Sequence, residues 1–250
     1  GTLFTTNTRT GSVSAIDAGT GTVRAKIAEG TNAHVRQAVV DAANNRVFVS
    51  VFGFRETPSA VWVVDAANNR VAQVITEGLE GGITGLAHDP AGNRLFATAL
   101  SSNEVVEIGL NDNKAVRRFA SGGESPVNVA FDAGRGRLLV TNQKTGDLAV
   151  INAADGAVAG KAATGDGALG VAVNPVNGHI YVANRRAGTV SIVDPGSLTV
   201  LNSLQTGTHP NTVAFDARGV AYVTNKARNA PRGEAPVEDP NGDTVSIIRP

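Results

Sequence analysis

An internal repeat of about 42 residues constrains the fold of this chain more than any other feature of its sequence. Six strand-like segments carry an aromatic or apolar residue at the same repeat position: Phe4, Phe48, Phe96, Leu139, Tyr181 and Tyr222. The gaps between these residues are 44, 48, 43, 42 and 41. The next strand-like segment of each repeat ends at a second set of equivalent positions, whose spacing closely follows that of the first set until one long insertion in the last repeat. These positions are Asp17, Asp65, Gly109, Asn152, Asp194 and Arg249.

Each complete repeat contains four short segments of strand composition. In the fifth repeat they read GVAVNP, HIYVAN, TVSIVD and TVLNSL, and turn sequences such as VNG and PGS separate them. The segments are rich in Val, Ile and Thr and alternate in polarity, as half-buried strands require. Four-stranded repeats of roughly 40 to 45 residues predict an all-β fold, a β-propeller of four-stranded antiparallel blades.

The blade boundaries follow from the repeat. We expect a single β-propeller domain over residues 1–250, with blades at about 1–30, 31–79, 80–122, 123–165, 166–207 and 208–250, the first and last being partial. Six units are therefore visible. The first lacks an innermost strand and the last stops after its third strand, so the two ends do not complete one blade together. We expect the full gene product to carry a further N-terminal blade and to be seven-bladed.

Composition excludes several classes of function. Lys plus Arg and Asp plus Glu both total 22, so no net charge attracts the chain to nucleic acid or anionic membrane. Cys is absent, which excludes disulfides, thiolate metal sites and a cysteine nucleophile. No apolar run approaches the ~18 residues of a membrane helix, so we expect no membrane insertion. The motifs GxSxG and HExxH are also absent, and we assign no catalytic residue.

Three stretches resemble a known family: VWVVDAANNRVAQVI, IYVANRRAGTVSIVDP and THPNTVAFDARGVAYVTNK. They are similar to the YVTN-repeat β-propellers of bacteria, in particular the periplasmic YncE type, and the likeness runs collinearly over essentially the whole chain. The resemblance implies a seven-bladed ring, export to the periplasm through a signal peptide that is then removed, and a non-enzymatic binding role. Binding of single-stranded DNA has been ascribed within the family. The family's first blade has no counterpart here, and the segment 226–243 is an insertion rich in Pro, Gly and charge.

Charged residues recur in the loops that we assign to the ligand-binding face, namely those between the second and third strands of a blade and those between blades. The first set begins at Asn7, Asn142, Asn184 and Asn225, and we expect each Asn to cap its own turn through side-chain to backbone hydrogen bonds. Five cations near these loops would form a collar: Arg9, Arg36, Lys144, Arg185 and Lys226. Such a collar would bind phosphate, carboxylate or a single nucleic acid strand. Acidic residues nearby, such as Glu124 and Asp166, leave an ordinary solvated rim as the alternative.

Histidines offer few metal ligands. His34 and His209 occupy the same repeat position and are ligand candidates, but their blades are not adjacent, and a metal site needs three or more converging ligands. The segment 239–243, DPNGD, lacks the ligand spacing and the distal Glu of a calcium loop. We therefore predict no metal and no cofactor, and we interpret His88 and His179, which lie in turns of the opposite face, as structural.

One loop carries two aromatic residues and indicates a different kind of ligand. Phe52, Phe54 and Arg55 lie in VFGFRE, and stacking aromatics beside basic groups are what single-stranded DNA binding requires. Aromatic residues make up just 4% of the chain, which weighs against a dedicated stacking platform. The single Trp, Trp62, is interpreted as blade packing.

The first interpretation is a non-enzymatic periplasmic binding or scaffold propeller that presents the loops of one face to a partner protein or a small anionic ligand. Single-stranded DNA binding and a lactonase-type hydrolase remain as alternatives. A hydrolase would need carboxylates and His in the channel, where the inner strands offer mainly Val, Ala, Phe and Asn.

Overall fold

The structure is a computed structural model that describes residues 1–30, 33–54, 57–228, 230 and 237–249. The chain forms two compact units, Gly1–Ala120 and Ser121–Pro250. Within the described ranges each unit is a succession of antiparallel sheets, and the helical structure is one 3-10 turn, Ala42–Asn44. No helix of these ranges is both long enough and apolar enough to span a bilayer.

The first unit contains three blades. The first blade consists of β1 (Thr2–Asn7), β2 (Ser12–Asp17) and β3 (Val23–Ile27). The second consists of β4 (His34–Asp41), β5 (Arg46–Phe52), β6 (Ala60–Asp65) and β7 (Arg70–Ile75). The third consists of β8 (Ile83–Asp89), β9 (Arg94–Ala99), β10 (Glu104–Gly109) and β11 (Lys114–Ala120). Strand order in each sheet follows chain order, so each blade is an antiparallel meander.

The second unit also contains three blades. The fourth blade consists of β12 (Pro126–Asp132), β13 (Arg137–Asn142), β14 (Asp147–Asn152) and β15 (Val158–Ala163). The fifth consists of β16 (Ala168–Val173), β17 (Ile180–Asn184), β18 (Thr189–Val193) and β19 (Val200–Gln205). The sixth consists of β20 (Pro210–Phe215), β21 (Ala221–Asn225) and β22 (Val245–Ile248).

The same irregularity shapes one blade after another. In the first five blades, the pairing register between the last two strands shifts by one residue at a single place. The shifts lie at Ala15/Ile16, Val63/Val64, Glu107/Ile108, Val150/Ile151 and Ile192/Val193. A bulge of this kind increases the local right-handed twist. Its repetition therefore gives successive blades a similar twist, which lets their faces pack against one another.

Packing between sheets forms the core of the first unit. Phe48 of the second blade is fully buried in one cluster with Leu86 and Ile108 of the third blade. Trp62 is buried in another cluster with Val13 of the first blade, which confirms its interpretation as blade packing. These side chains alternate along their strands with residues of the opposite face, as the pleat requires.

The second unit is built in the same way. Leu139 of the fourth blade packs with Val171 of the fifth. Tyr181 of the fifth blade meets Phe215 of the sixth edge to face, with ring centroids 4.9 Å apart and planes at 88°. This geometry is favourable for aromatic pairs.

An Asp and an Arg clamp the turn between the first two strands of three blades. Asp41 accepts hydrogen bonds from Arg46 at 2.8 Å, and Asp89–Arg94 and Asp132–Arg137 repeat the pair at 2.9 and 3.0 Å. The Asp carboxylates are buried, and each is paired, which offsets the cost of removing a charge from water.

The fold predicted from the sequence, an all-β propeller of antiparallel blades, is confirmed. Among the described residues four blades have four strands and the first and last have three. The seventh blade and the N-terminal extension stay predictions.

Candidate functional site

A buried Asn ends the second strand of each blade in the second unit, and Asn184 shows its role. The side-chain amide of Asn184 donates to the carbonyl oxygen of Thr164 at 3.2 Å and to the hydroxyls of Thr189 and Ser191 at 3.1 and 2.9 Å. The turn that follows is closed by the backbone instead, with the Gly188 amide donating to the Asn184 carbonyl at 2.9 Å. Asn184 therefore ties the second strand to the third and to the segment that enters the blade.

Asn142 and Asn225 make equivalent bonds to the third strands of their own blades. The expectation that each Asn caps its own turn is thus wrong, because the amide reaches across the sheet rather than into the turn. A glycine of the entering segment lies against each amide: a Cβ on Gly123 would approach Asn142 Cγ to 2.6 Å, and one on Gly207 would approach Asn225 Nδ2 to 2.7 Å. This close approach fixes the entering segment beside the turn and shapes the clefts described next.

The second unit has a cleft of about 300 Å³ between the turn of the fifth blade and the segment that leads into the sixth. We call it the arginine cleft. It is lined by Arg185, Arg186, Ala187, Gly188, Gln205, Thr206, Gly207, Thr208, His209, Arg228 and Asn241. Three guanidinium groups therefore line one small concave surface whose other groups are amides, hydroxyls and an imidazole.

Arg185 is the cation of the cleft that is partly buried without a carboxylate partner among the described residues. Its Nη1 donates to Asn211 Oδ1 at 2.5 Å, and among the described residues it has no carboxylate partner. Burial lowers the pKa of Arg185 from its ordinary value, although the guanidinium stays charged. A partly buried cation without a counter-ion is costly, and an anion bound beside it would offset that cost.

Arg186 and Arg228 complete the charge of the cleft. Arg186 is exposed and donates through Nε to Asp166 Oδ1 at 2.8 Å and through Nη2 to the Gln143 carbonyl at 3.2 Å. The bond to Asp166 raises the pKa of Arg186. The guanidinium of Arg228 forms no ion pair within the described ranges, while its backbone amide donates to Asp239 at 3.1 Å. The arginine cleft therefore has three cations, and two carboxylates lie outside its lining: Asp166 pairs with Arg186, and Asp239 interacts electrostatically with Arg228 without forming an ion pair.

His209 lies at the base of the segment that enters the sixth blade. Its backbone has a φ of 44°, in the left-handed region. The Lys226 amide donates to the His209 carbonyl at 3.2 Å, which joins this residue to the end of β21. The Nδ1 atom of the ring is buried and has no hydrogen-bond partner among the described residues.

A sister cleft lies one blade earlier, on the same scaffold. It is lined by Lys144, Thr145, Gly146, Ala163, Thr164, Gly165 and Asp166. Lys144 takes the repeat position of Arg186 and is paired with Glu124, while Asp166 takes the position of Thr208. In the sister cleft the lining charges are balanced. The excess positive charge of the arginine cleft is therefore a property of the fifth and sixth blades and not of the repeat.

A second group of candidates meets in the first unit, and we call it the aromatic cluster. The rings of His34 and Phe54 stack with centroids 4.9 Å apart and an angle of 24° between planes. The guanidinium of Arg36 lies 5.2 Å from the centroid of Phe52. Partial burial lowers the pKa of Arg36, and 46% of Phe54 is exposed. The aromatic cluster thus presents a stacked ring and a cation on one surface.

The structure distributes the other predicted site residues as follows. Arg9 and Lys226 are exposed and line neither cleft, and Lys144 is held by Glu124. Arg55 lies outside the described residues. Arg185 and His209, predicted separately, line one cleft, and His34, Arg36, Phe52 and Phe54 form the aromatic cluster.

Sequence reasoning missed two arginines of the cleft, Arg186 and Arg228, and the contact of Arg185 with Asn211. The doublet at 185–186 was the available signal, since it places cations on both sides of one turn. In the DPNGD segment, Asp239 accepts hydrogen bonds from Thr208 Oγ1 and from the Arg228 amide, and Asp243 accepts from the Ala227 amide. Their role is to shape the loop beside the cleft. Within the described ranges no three His, Asp or Glu side chains are grouped as metal ligands.

Comparison with known proteins gives relatives over most of the chain. The chain is 35% identical over 251 aligned positions to the uncharacterized protein YncE of Escherichia coli K12, and the match covers 95% of this chain and 69% of the relative. YncE of Salmonella typhi is 31% identical with the same coverage. No family model matches.

A solved structure shares the fold at low sequence identity. The crystal structure of a protein of unknown function from Bacteroides caccae superposes with a TM-score of 0.71 at 12% identity, covering 89% of this chain and 81% of that one. At 12% identity, this similarity supports the fold and nothing more about the chain.

Proposed function

The chain belongs to the YncE family, and within that family we propose that it is a non-enzymatic periplasmic binding propeller that holds an anionic group in the arginine cleft. The bound group is a phosphate, sulfate or carboxylate, free or carried by a partner protein. Guanidinium groups recognise such oxyanions through short, charge-assisted hydrogen bonds. The cleft has the polar lining that a small, highly charged ligand needs.

One observation supports this proposal above the others: Arg185 is partly buried and uncompensated. A guanidinium on an ordinary solvated rim would be exposed or paired, as Lys144 is with Glu124. Arg185 instead has a neutral amide as its partner and shares its cleft with Arg228, also unpaired among the described residues. The sister cleft, built on the same turn and entering segment, lacks this excess of charge.

The proposal predicts that sulfate and phosphate bind the full-length chain and that Arg185→Ala weakens them about 10- to 100-fold, as expected for the loss of a hydrogen-bonded charge. Isothermal titration calorimetry measures both affinities. Thermal unfolding should change little, because Arg185 makes one hydrogen bond, to Asn211.

The sister cleft supplies the matched control. Lys144→Ala removes a cation from the equivalent turn, and its partner Glu124 already neutralises it. We expect anion affinity to be unchanged in this variant. Equal losses in Arg185→Ala and Lys144→Ala would mean that general surface charge, and not the arginine cleft, attracts the anion.

The aromatic cluster favours single-stranded DNA binding as a second candidate function. A stacked His34–Phe54 pair with Phe54 half exposed offers a face to a base, and Arg36 lies close enough to meet a phosphate. Fluorescence anisotropy with a short oligothymidylate tests this function. Affinity should fall steeply with salt, because phosphate contacts release counterions; binding that is independent of salt would rule the function out.

A further inference from the structure

His209 is a bulky residue at a position where the third, fourth and fifth blades have Gly or Ser. The residue immediately before the first strand is Gly82 in the third blade, Ser125 in the fourth and Gly167 in the fifth, and all three have a positive φ. The sixth blade places His209 there with a φ of 44°. A non-glycine residue in the left-handed region carries backbone strain, and such strain is enriched at functional sites.

The two ring nitrogens of His209 differ in their surroundings. Nδ1 is buried without a hydrogen-bond partner in the described part of the chain. A proton there would be an unpaired buried donor, which is unfavourable. The neutral ring therefore carries its proton on Nε2, and because the residue lines the arginine cleft, Nε2–H is its available donor.

We propose that His209 contacts the ligand and completes a site for a tetrahedral oxyanion, that is, a sulfate or phosphate group. Arg185 and Arg186 line one wall of the arginine cleft and His209 and Thr208 the other, with Arg228 beside them. A carboxylate presents two oxygens in one plane, and a single guanidinium can satisfy both. A tetrahedral oxyanion presents its oxygens in several directions and matches donors that surround it.

The inference rests on the proposed function, because it assigns the ligand class and a contact residue to the same cleft. Two described segments place charged groups near His209: the turn of the fifth blade and the connection that follows β21. The turn of the fifth blade contributes Arg185 and Arg186, the latter paired with Asp166. The connection after β21 contributes Arg228, Lys226 and Asp239, whose carboxylate accepts from Thr208. Cations predominate among these groups.

The test measures sulfate and acetate affinity of the full chain and of His209→Gly at about pH 8, where a free imidazole is neutral. Sulfate does not titrate there, so any change belongs to the protein. We expect sulfate to bind the unaltered chain at least about 10-fold more tightly than acetate, and His209→Gly to lose at least about 10-fold of the sulfate affinity. Because glycine tolerates the left-handed region, the melting temperature should stay the same or rise.

His34→Gly is the matched control, since His34 lies seven residues before Asp41, as His209 lies seven residues before Asp216. In the second blade this position begins β4, and the ring contacts Phe54 instead. Its sulfate affinity should equal that of the unaltered chain. Undiminished sulfate binding in His209→Gly, a marked fall in its melting temperature, or acetate binding as tight as sulfate would each overturn the inference while leaving anion binding by Arg185 standing. Absence of sulfate and acetate binding in the unaltered chain would overturn the proposed function and the inference together.

Discussion

The buried Asn at the end of the second strand should be one of the strongest single contributors to stability in the second unit. In Asn184→Ala, the two N–H donors that the amide shares among Thr164, Thr189 and Ser191 are lost. Each contributes roughly 0.5–1.5 kcal/mol net. Asn184 Oδ1 is buried and unpartnered among the described residues, so removing it recovers part of the loss. We expect a net destabilisation of about 2–3 kcal/mol.

Urea unfolding followed by circular dichroism measures this change, and thermal melting should show a fall of roughly 4–10 °C for a chain of this size. Asn202→Ala is the matched control, because Asn202 is exposed in the same blade and its side chain accepts one local hydrogen bond, from Ser203. The control should change stability by about 0.5 kcal/mol or less. If Asn184→Ala and Asn202→Ala unfold at the same urea concentration, the hydrogen bonds of Asn184 do not join the strands as described.

The stability of Asn184→Asp should depend on pH. A carboxylate at this buried position cannot donate to the Thr164 carbonyl, and burial would raise the pKa of the new Asp. An acidic group whose pKa is higher in the folded than in the unfolded protein destabilises the folded state once the pH exceeds that folded pKa. Stability of Asn184→Asp should therefore recover as pH falls through the folded pKa, since the protonated acid can donate again. In Asn184→Ala no such recovery is expected.

Two further predictions concern the first unit. Burial opposes ionisation of Asp41, but hydrogen bonds from Asn44 and Arg46 outweigh it and lower the pKa of Asp41; the stability that Asp41 contributes is thus present above its unfolded pKa and lost as pH falls through its folded pKa. Asp41→Asn should flatten that acid limb in pH-dependent melting, and an unchanged limb would contradict the assignment. In the aromatic cluster, Phe54→Ala should weaken oligothymidylate binding by about 5- to 150-fold, the value of one stacked base, whereas Phe119→Ala, which removes a ring that also lies beneath an arginine, should not.

The fold was predictable because the repeat encodes it redundantly. Phe48, Leu139 and Tyr181 mark the same strand in three blades, so a misread in one blade is corrected by the others. The strand pattern depends on local alternation, which sequence displays directly. The role of Asn184 was less predictable, because its three partners lie 5, 7 and 20 residues away on other segments. A turn cap is the local alternative, and sequence alone favours local partners.

The candidate site was only half predictable for a related reason. Sequence placed Lys144 and Arg185 in loops that line the two clefts, but it could not say which cation was compensated, because an ion pair is decided by segments distant in sequence. Lys144 and Arg186 share a repeat position, and their carboxylates, Glu124 and Asp166, come from the segment 20 residues earlier in each case. Arg185, one residue before Arg186, extends to Asn211 in the next blade and finds an amide.

Comparison between blades is therefore more informative about function than the repeat itself. Residues that recur, such as Asn142 and Asn184, are explained by packing and hydrogen bonding within the sheet. Residues that differ between equivalent positions of two blades are not explained by this packing and hydrogen bonding. Where Gly167 precedes the fifth blade, the sixth has His209 in a conformation that favours glycine. The fourth blade has Ser125 there, also with a positive φ, but the side chain of Ser125 is much smaller than an imidazole. Strain from a bulky ring at this position supports the proposal that His209 contacts a ligand.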